Sequence, residues 1–159
     1  MWKKNKIVHA AIIAAVYAVL TLALAPVSFG PVQCRVSEAL CILPMFFAEA
    51  VPGLAIGCLI ANLCIGSIYD IIFGTIATLV AAFGIRLCRK NKWIAMLFPV
   101  VLNAVVVGGY IGLFTGTNMA VWLCMCSVGA GEAVACYGIG MPLCGLAEKL
   151  KESLQEDRK

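Results

Sequence analysis

Long apolar stretches follow one another along almost the whole chain, and few charged residues interrupt them. The stretches that contain no Asp, Glu, Lys or Arg are residues 7–34, 39–48, 50–69, 71–85, 93–131 and 133–147. A helix needs about 20 apolar residues to cross a hydrocarbon core about 30 Å thick, whereas the strands of a membrane barrel alternate apolar and polar residues over about 10 positions. The pattern therefore predicts membrane-spanning helices.

Prolines, glycines and polar turns divide these stretches into six predicted spans. Pro26 ends the first span, and a polar turn at residues 115–118 separates the last two. The predicted spans are residues 7–25, 36–48, 51–68, 69–87, 93–114 and 120–147, with an outer loop at 26–35 and a cytoplasmic tail at 148–159. We expect one all-α integral membrane domain over residues 1–159, built as a bundle of six transmembrane helices.

The composition agrees with this prediction. Of the 159 residues, 63% are hydrophobic and 13% are charged, whereas a soluble domain is about 45–50% apolar and about 25% charged. The N-terminal segment also has features of a cleavable secretory signal. Lysines lie before residue 7, and an apolar run and Ala23-Leu24-Ala25 follow them. The run is longer than the about 7–15 residues of a signal core, and Pro26 would directly follow the cut. The segment is therefore predicted to remain as the first span.

The basic residues predict the orientation. All 12 Lys and Arg residues except Arg35 lie before residue 7, in the loop at 86–92 or in the tail at 148–159. Because basic residues favour the cytoplasmic side, the N-terminus and the C-terminus are both predicted to be cytoplasmic. The net charge of +4 is then a signal of topology, and no nucleic-acid partner is inferred from it.

Small residues recur at four-residue spacing on two of the predicted helices. They are Ala10, Ala14 and Ala18 on the first, with Ala11 and Ala15 beside them, and Gly53, Gly57 and Ala61 on the third. Such stripes let helix backbones approach closely in lipid. Two interpretations stay open: contact within one bundle, or a face turned toward another subunit.

A few ionisable and polar residues interrupt the apolar segments and are the candidate functional residues. An ionisable residue within a membrane is costly, so it usually faces a cavity or a partner. Glu132 follows Ala120 by 12 positions, which at 1.5 Å per residue puts it about 18 Å below the outer end of its helix. Arg35 and Glu38 could pair at i, i+3 spacing. The candidates are Gln33, Arg35, Glu38, Asp70, Asn103, Tyr110, Trp122 and Glu132.

No motif in the sequence points to catalysis or to a cofactor. The chain has no phosphate-binding G-x-x-x-x-G-K-[ST] loop and no H-E-x-x-H or G-x-S-x-G motif. Its nine cysteines include no C-x-x-C pair, and it has one histidine, which is too little for a zinc or iron–sulfur site. We therefore expect a protein that is not an enzyme, with no metal and no cofactor.

A resemblance to a known family adds to this interpretation. Residues 26–40, PVSFGPVQCRVSEAL, resemble the signature of the QueT family, and the resemblance continues through residues 70–79, Asn103 and residues 127–132. The family implies a substrate-binding membrane subunit (S component) of an energy-coupling-factor (ECF) transporter for queuosine precursors. S components have six helices with both ends inside, and bind their substrate near the outer surface of a prokaryotic cell membrane. They dock on a shared membrane coupling subunit that works with two cytoplasmic ATPases. The docking face would comprise Ala10, Ala11, Ala14 and Ala15.

The implied substrate is a 7-deazaguanine base, in its 7-aminomethyl or 7-cyano form. Such a base presents N1–H and an exocyclic amine to a carboxylate, a carbonyl to a donor, a flat face to an aromatic ring and, if aminomethylated, a cation to a second carboxylate. The hypothesis gives Glu132 the guanine edge and Arg35 the ordering of the loop by pairing with an acid. The other roles are Asn103 or Gln33 for the carbonyl, Trp122 or Tyr110 for stacking, and Glu38 or Asp70 for the ammonium.

The loop, with Gly30 between two prolines, would close over the ligand as a lid, and the subunit would then reorient against its partner. Two alternatives remain. One is a self-sufficient carrier or channel, coupled to protons through Glu132, although the sequence shows no internal repeat of the kind such folds often carry. The other is a structural subunit that uses its polar residues as glue between helices.

Overall fold

The computed structural model describes residues 2–29 and 34–156, and helices account for most of both ranges. The first two elements are α1 (Trp2–Ala23) and a single turn, α2 (Ala25–Ser28). A 3-10 helix (Val36–Met45) and α3 (Ala50–Ile65) follow. The remaining elements are a π turn (Asp70–Gly74), α4 (Thr75–Leu87), α5 (Lys92–Phe114), α6 (Val121–Ala133), a π segment (Val134–Gly140) and α7 (Met141–Glu156).

Four of the described helical segments are long and apolar enough to cross a membrane. They are Lys6–Ala23, Asp70–Leu87, Lys92–Phe114 and Val121–Leu154, and the two shorter apolar helices are Val36–Met45 and Ala50–Ile65. Large apolar side chains cover the outside of the bundle, for example Ile7 at 70% and Trp93 at 62% exposure. A surface of this kind suits lipid rather than water.

Local chemistry explains where the helices begin and end. The Asn91 side chain caps α5 by accepting hydrogen bonds from the backbone N–H groups of Trp93 and Ile94, at 3.1 and 3.3 Å. The helix ends at Thr115, before Gly116, whose φ of +66° lies in the left-handed region that favours glycine. The polar turn predicted at residues 115–118 therefore lies where α5 ends.

The structure differs from the predicted boundaries in two places. Pro26 opens the helical turn α2, so part of the predicted loop at 26–35 is helical, because proline is accepted in a first helical turn. The last helix does not end at residue 147 but continues as α7 to Glu156. Leu, Glu and Lys after residue 147 are strong helix formers, so the helix runs on where the hydrophobic pattern stops.

The small-residue stripes pack helix against helix inside the chain. A Cβ added at Gly53 would lie 2.8 Å from the carbonyl oxygen of Ala10, and one at Gly57 would lie 2.7 Å from that of Ala14. Ala14 is accordingly buried and Ala10 half-buried, whereas Ala11 and Ala15 are exposed. Of the predicted docking stripe, Ala10 and Ala14 face α3, and Ala11 and Ala15 remain on the surface.

Candidate functional site

Polar side chains line the interior of the bundle. Those nearly inaccessible to solvent in the described part of the chain are Thr21, Ser28, Arg35, Ser37, Glu38, Asn62, Asp70, Thr78, Asn103 and Glu132. A buried polar group is costly unless it is hydrogen-bonded. A buried polar side chain whose hydrogen bonds are all made within the protein therefore has a structural role. One with unpaired atoms is available to a ligand.

Arg35 and Asp70 form a buried ion pair. Arg35 Nη2 donates to Asp70 Oδ1 at 2.7 Å, and the two side chains are 3% and 7% exposed. The guanidinium also lies over the ring of Phe29, 5.1 Å from its centroid. Asp70 is well supplied with donors, because it also accepts from Tyr110 Oη and from the backbone N–H and hydroxyl of Ser67.

This geometry decides between two sequence-based expectations for Arg35. Pairing with an acid is confirmed, and the acid is Asp70. Pairing with Glu38 at i, i+3 is wrong, because Arg35 precedes the 3-10 helix with extended backbone angles (φ −85°, ψ 95°) and does not share a helical face with Glu38. Its side chain instead points to the start of the π turn that carries Asp70.

Glu38 lies at the centre of a second cluster. Its Oε1 accepts from Tyr17 Oη and, at 3.2 Å, from Thr78 Oγ1, and its Oε2 accepts from Cys41 Sγ at 2.8 Å. The three donors come from α1, α4 and the 3-10 helix, so the carboxylate holds these elements together. The sequence analysis did not select Tyr17, Thr78 or Cys41. The spacing of Tyr17 and Thr21, one turn apart on α1, is the signal that could have identified an inward polar face.

A third group has more unpaired atoms than the first two. In the first group only Arg35 Nε lacks a partner among the described residues. Glu132 is 2% exposed, and its Oε2 has no hydrogen-bond partner among the described residues. Asn103 faces Glu132, and within the same residue set its Oδ1 and its Nδ2 have no partner at normal hydrogen-bond length. The Glu132–Asn103 pair therefore offers acceptors and a donor that no other described residue uses.

The loop that precedes the 3-10 helix contacts this group. Cys34 Sγ donates to the carbonyl oxygen of Gly131 at 3.3 Å, directly before Glu132 in α6. Glu132 is also within electrostatic range of Glu38 and Arg35. The three polar groups therefore share one interior region, and the described end of the loop meets α6 there.

A cavity lies at the end of the bundle opposite the 86–92 loop. We call it the outer cavity, because the basic residues predict that this end faces outward. Its volume is about 440 Å³, and its polar lining includes Ser67, Asp70 and Tyr110. The aromatic residues of the lining are Phe29 and Tyr110. Behind the lining, Tyr69 stacks on Tyr110 with centroids 5.9 Å apart and on Phe114 at 5.4 Å. A cavity of this size and lining can admit a small flat heterocycle.

The remaining candidates lie elsewhere. Trp122 is 64% exposed on the surface and does not line the outer cavity. Gln33 lies outside the described residues. No group of three or more His, Cys, Asp and Glu side chains within the described ranges is placed to hold a metal ion.

The bundle has an apolar exterior, and its interior contains carboxylates, amides and the outer cavity. These features define a helical membrane protein with a polar interior. Proteins that move small solutes across membranes have this architecture. A family model described as QueT transporter matches residues 7–149, so the chain belongs to the QueT transporter family. The resemblance noted in residues 26–40 is thereby confirmed.

A curated relative agrees with this assignment. The chain is 41% identical over 96 residues to the "Queuosine precursor transporter QueT" of Lactococcus lactis subsp. cremoris (strain MG1363). The match covers 57% of this chain and 57% of that relative, so the chain spans little more than half of the relative's length. No solved structure matches the chain.

Proposed function

We propose that this protein is the substrate-binding S component of an ECF-type importer in a prokaryotic plasma membrane. Its ligand is a queuosine precursor, a 7-deazaguanine with an aminomethyl or cyano group at position 7. The observation that carries the proposal is the unpaired Glu132 carboxylate beside the unpaired Asn103 amide, in a chain of the QueT family. ATP hydrolysis belongs to partner subunits.

The chemistry of the base matches the unpaired atoms. Its N1–H and exocyclic amine are adjacent donors, and the two oxygens of Glu132 accept such a pair in a bidentate manner. The Asn103 Nδ2 donates to the base carbonyl. Tyr110, which already stacks on Tyr69 at the outer cavity, is a better stacking partner than the exposed Trp122.

The charge balance of the interior favours the aminomethyl form. The buried acidic and basic side chains among the described residues are three carboxyl groups, those of Glu38, Asp70 and Glu132, and one guanidinium, that of Arg35. Because Arg35 is paired with Asp70, Glu38 and Glu132 are the carboxylates left to pair with an ammonium group, whereas a nitrile pairs with neither. Glu38 is the second carboxylate within electrostatic range of Glu132. Its described donors are the neutral groups of Tyr17, Thr78 and Cys41, whereas Asp70 is already paired with the Arg35 cation, so Glu38 is the choice for the ammonium.

The exposed part of the small-residue stripe supports a docking role. Ala11 and Ala15 lie on the outer face of α1, away from α3, where a helix of the coupling subunit can approach closely. The loop at residues 26–35 acts as a lid, and its contact through Cys34 with α6 ties lid closure to the helix that carries Glu132.

The decisive experiment measures thermal stabilisation of the detergent-purified chain by a ligand panel. The panel contains aminomethyl- and cyano-deazaguanine, guanine, queuine, riboflavin and biotin. A ligand that binds only the folded state raises the unfolding midpoint by mass action. We expect the deazaguanines alone to raise it, the aminomethyl form most. No shift with any compound would reject the binding-subunit proposal and favour a structural role.

A separate measurement distinguishes the importer from a self-sufficient carrier. Uptake of the labelled base in proteoliposomes should require the coupling subunit, the two ATPases and ATP. Uptake by the chain alone, driven by a proton gradient, would instead support a carrier that uses the Glu132 carboxylate.

A further inference from the structure

A basic groove opens at the end of the bundle that carries the 86–92 loop. Its volume is about 550 Å³, and it is lined by Met45, Phe46, Arg86, Arg89, Lys90 and Lys151. Four of these six residues are cations and none is acidic. The cations come from the end of α4, from the loop that follows it and from α7, so the fold brings together charges that are far apart in the sequence.

One of the four cations is fixed in place. Arg86 Nη1 donates to the carbonyl oxygens of Pro44 and Met45, both at 3.2 Å, at the end of the 3-10 helix. Arg86 is half-buried, whereas Arg89, Lys90 and Lys151 are exposed. A fixed guanidinium beside three exposed cations can accommodate a phosphate group, whose oxygens accept from several donors at once.

The surroundings of the groove are apolar. Met45 and Phe46 belong to its lining. On the adjoining surfaces of α4 and α7, Phe83, Leu87 and Leu150 are 57%, 69% and 50% exposed. The aromatic pair of Trp93 and Tyr137, with centroids 5.9 Å apart, lies beyond the same loop. Exposed aromatic residues of this kind are enriched at membrane–water interfaces.

These observations call for an amphipathic ligand, with a negative head at the membrane boundary and apolar chains beside it. We propose that the groove binds the phosphate headgroup of an anionic phospholipid, whose acyl chains run along the exposed apolar face of α4. Basic pockets between membrane helices bind anionic headgroups in this manner. The site is separate from the Glu132–Asn103 pair and does not depend on which solute is transported.

The test compares lipids that differ only in headgroup. The purified full-length chain in detergent is titrated with dioleoyl phosphatidylglycerol, dioleoyl phosphatidylcholine or glycerol 3-phosphate. We measure the unfolding midpoint, and we measure the bound lipid by native mass spectrometry. Two double variants are compared with the unchanged protein. Lys90→Gln with Lys151→Gln removes two exposed cations that line the groove, and Lys92→Gln with Lys149→Gln removes two exposed neighbours that do not.

We expect phosphatidylglycerol to raise the midpoint and to bind more tightly than phosphatidylcholine. Each basic residue near an anionic headgroup is worth about fivefold in affinity, so the groove variant should bind phosphatidylglycerol roughly 30-fold more weakly, and the control variant should not change. Equal effects of the two lipids, or equal losses in the two variants, would overturn the proposal.

Stabilisation by glycerol 3-phosphate alone would assign the groove to a free phosphate compound. Stabilisation by a poly-glutamate peptide, with none by either lipid, would assign it to an acidic protein partner.

Discussion

The three buried carboxylates differ in how much of their hydrogen-bonding capacity the protein already uses. Asp70 accepts from Arg35, Tyr110 and Ser67, and Glu38 accepts from Tyr17, Thr78 and Cys41. Glu132 keeps an oxygen without a partner among the described residues. A fully bonded carboxylate mainly holds helices together, whereas a buried carboxylate with a free oxygen is suited to a ligand.

The first prediction concerns Glu132. Replacing it by Gln keeps the shape but leaves one acceptor oxygen instead of two for the N1–H and amine of the base, and Glu132→Ala removes both. A lost hydrogen bond to a charged group typically costs about 1.5–3 kcal/mol, so both variants should bind the deazaguanine at least tenfold more weakly by calorimetry. Glu148→Gln, an exposed position on α7, is the control. Unchanged affinity in the Glu132 variants would remove this residue from the site.

The second prediction concerns the buried ion pair. Asp70→Asn leaves the Arg35 guanidinium without an anion, and breaking a buried pair in this way costs about 3–5 kcal/mol. Arg35→Met should cost less, because Asp70 keeps its donors from Tyr110 and Ser67. The double variant should lose less free energy of unfolding than the two single variants lose in total. Denaturation of all four proteins in mild detergent gives the coupling, and strictly additive losses would contradict a direct interaction.

At the scale of helices and turns, the hydrophobic pattern predicts where apolar helices lie but not their internal irregularities. The 3-10 helix at Val36–Met45 contains Pro44, and the π segments are Asp70–Gly74 and Val134–Gly140. Apolar content is the same in α, 3-10 and π geometry, so it cannot distinguish them. Tertiary contacts decide here: the π turn begins at Asp70, whose side chain is bonded to Arg35 and Tyr110.

The third prediction tests helix packing with two glycines. A methyl group at Gly57 would lie 2.7 Å from the Ala14 carbonyl oxygen, whereas nothing lies within 4 Å of one at Gly109. Gly57→Ala should therefore destabilise the protein by about 1–3 kcal/mol through overpacking. Gly109→Ala should be neutral or stabilise by up to about 1 kcal/mol, since alanine is the better helix former. Equal melting temperatures of the two variants would contradict the close contact of α1 with α3.

At the scale of the whole molecule, the fourth prediction separates binding from coupling. Ala11→Leu together with Ala15→Leu enlarges the exposed face of α1 without touching α3. ATP-dependent uptake by the reconstituted transporter should fall at least tenfold, because a coupling helix can no longer approach closely. Ligand affinity of the isolated chain should stay the same. Ala130→Leu, an exposed position on α6, is the control for added bulk, and normal uptake in the α1 variant would place docking elsewhere.

Sequence reasoning selected several residues of the candidate site but not their arrangement. Arg35, Asp70 and Tyr110 stand out because polar residues are rare in apolar helices, yet their mutual contact joins positions 35 and 40 residues apart. Such contacts depend on how the helices rotate against one another, which a single sequence does not specify. Trp122 illustrates the same point: its aromatic ring suggests stacking, but its helix turns it outward to 64% exposure.

The two short helices have a consequence for how the protein is made. At about 2.0 Å per residue the 10-residue 3-10 helix spans about 20 Å, and at 1.5 Å per residue the 16-residue α3 spans about 24 Å. Neither matches a hydrocarbon core about 30 Å thick, so the insertion machinery should release them into the bilayer together, as a hairpin. Arg35 leaves the ribosome before Asp70. A nascent chain that ends after α3 should therefore stay bound to the insertion machinery, and synthesis of the π turn and α4 should release it.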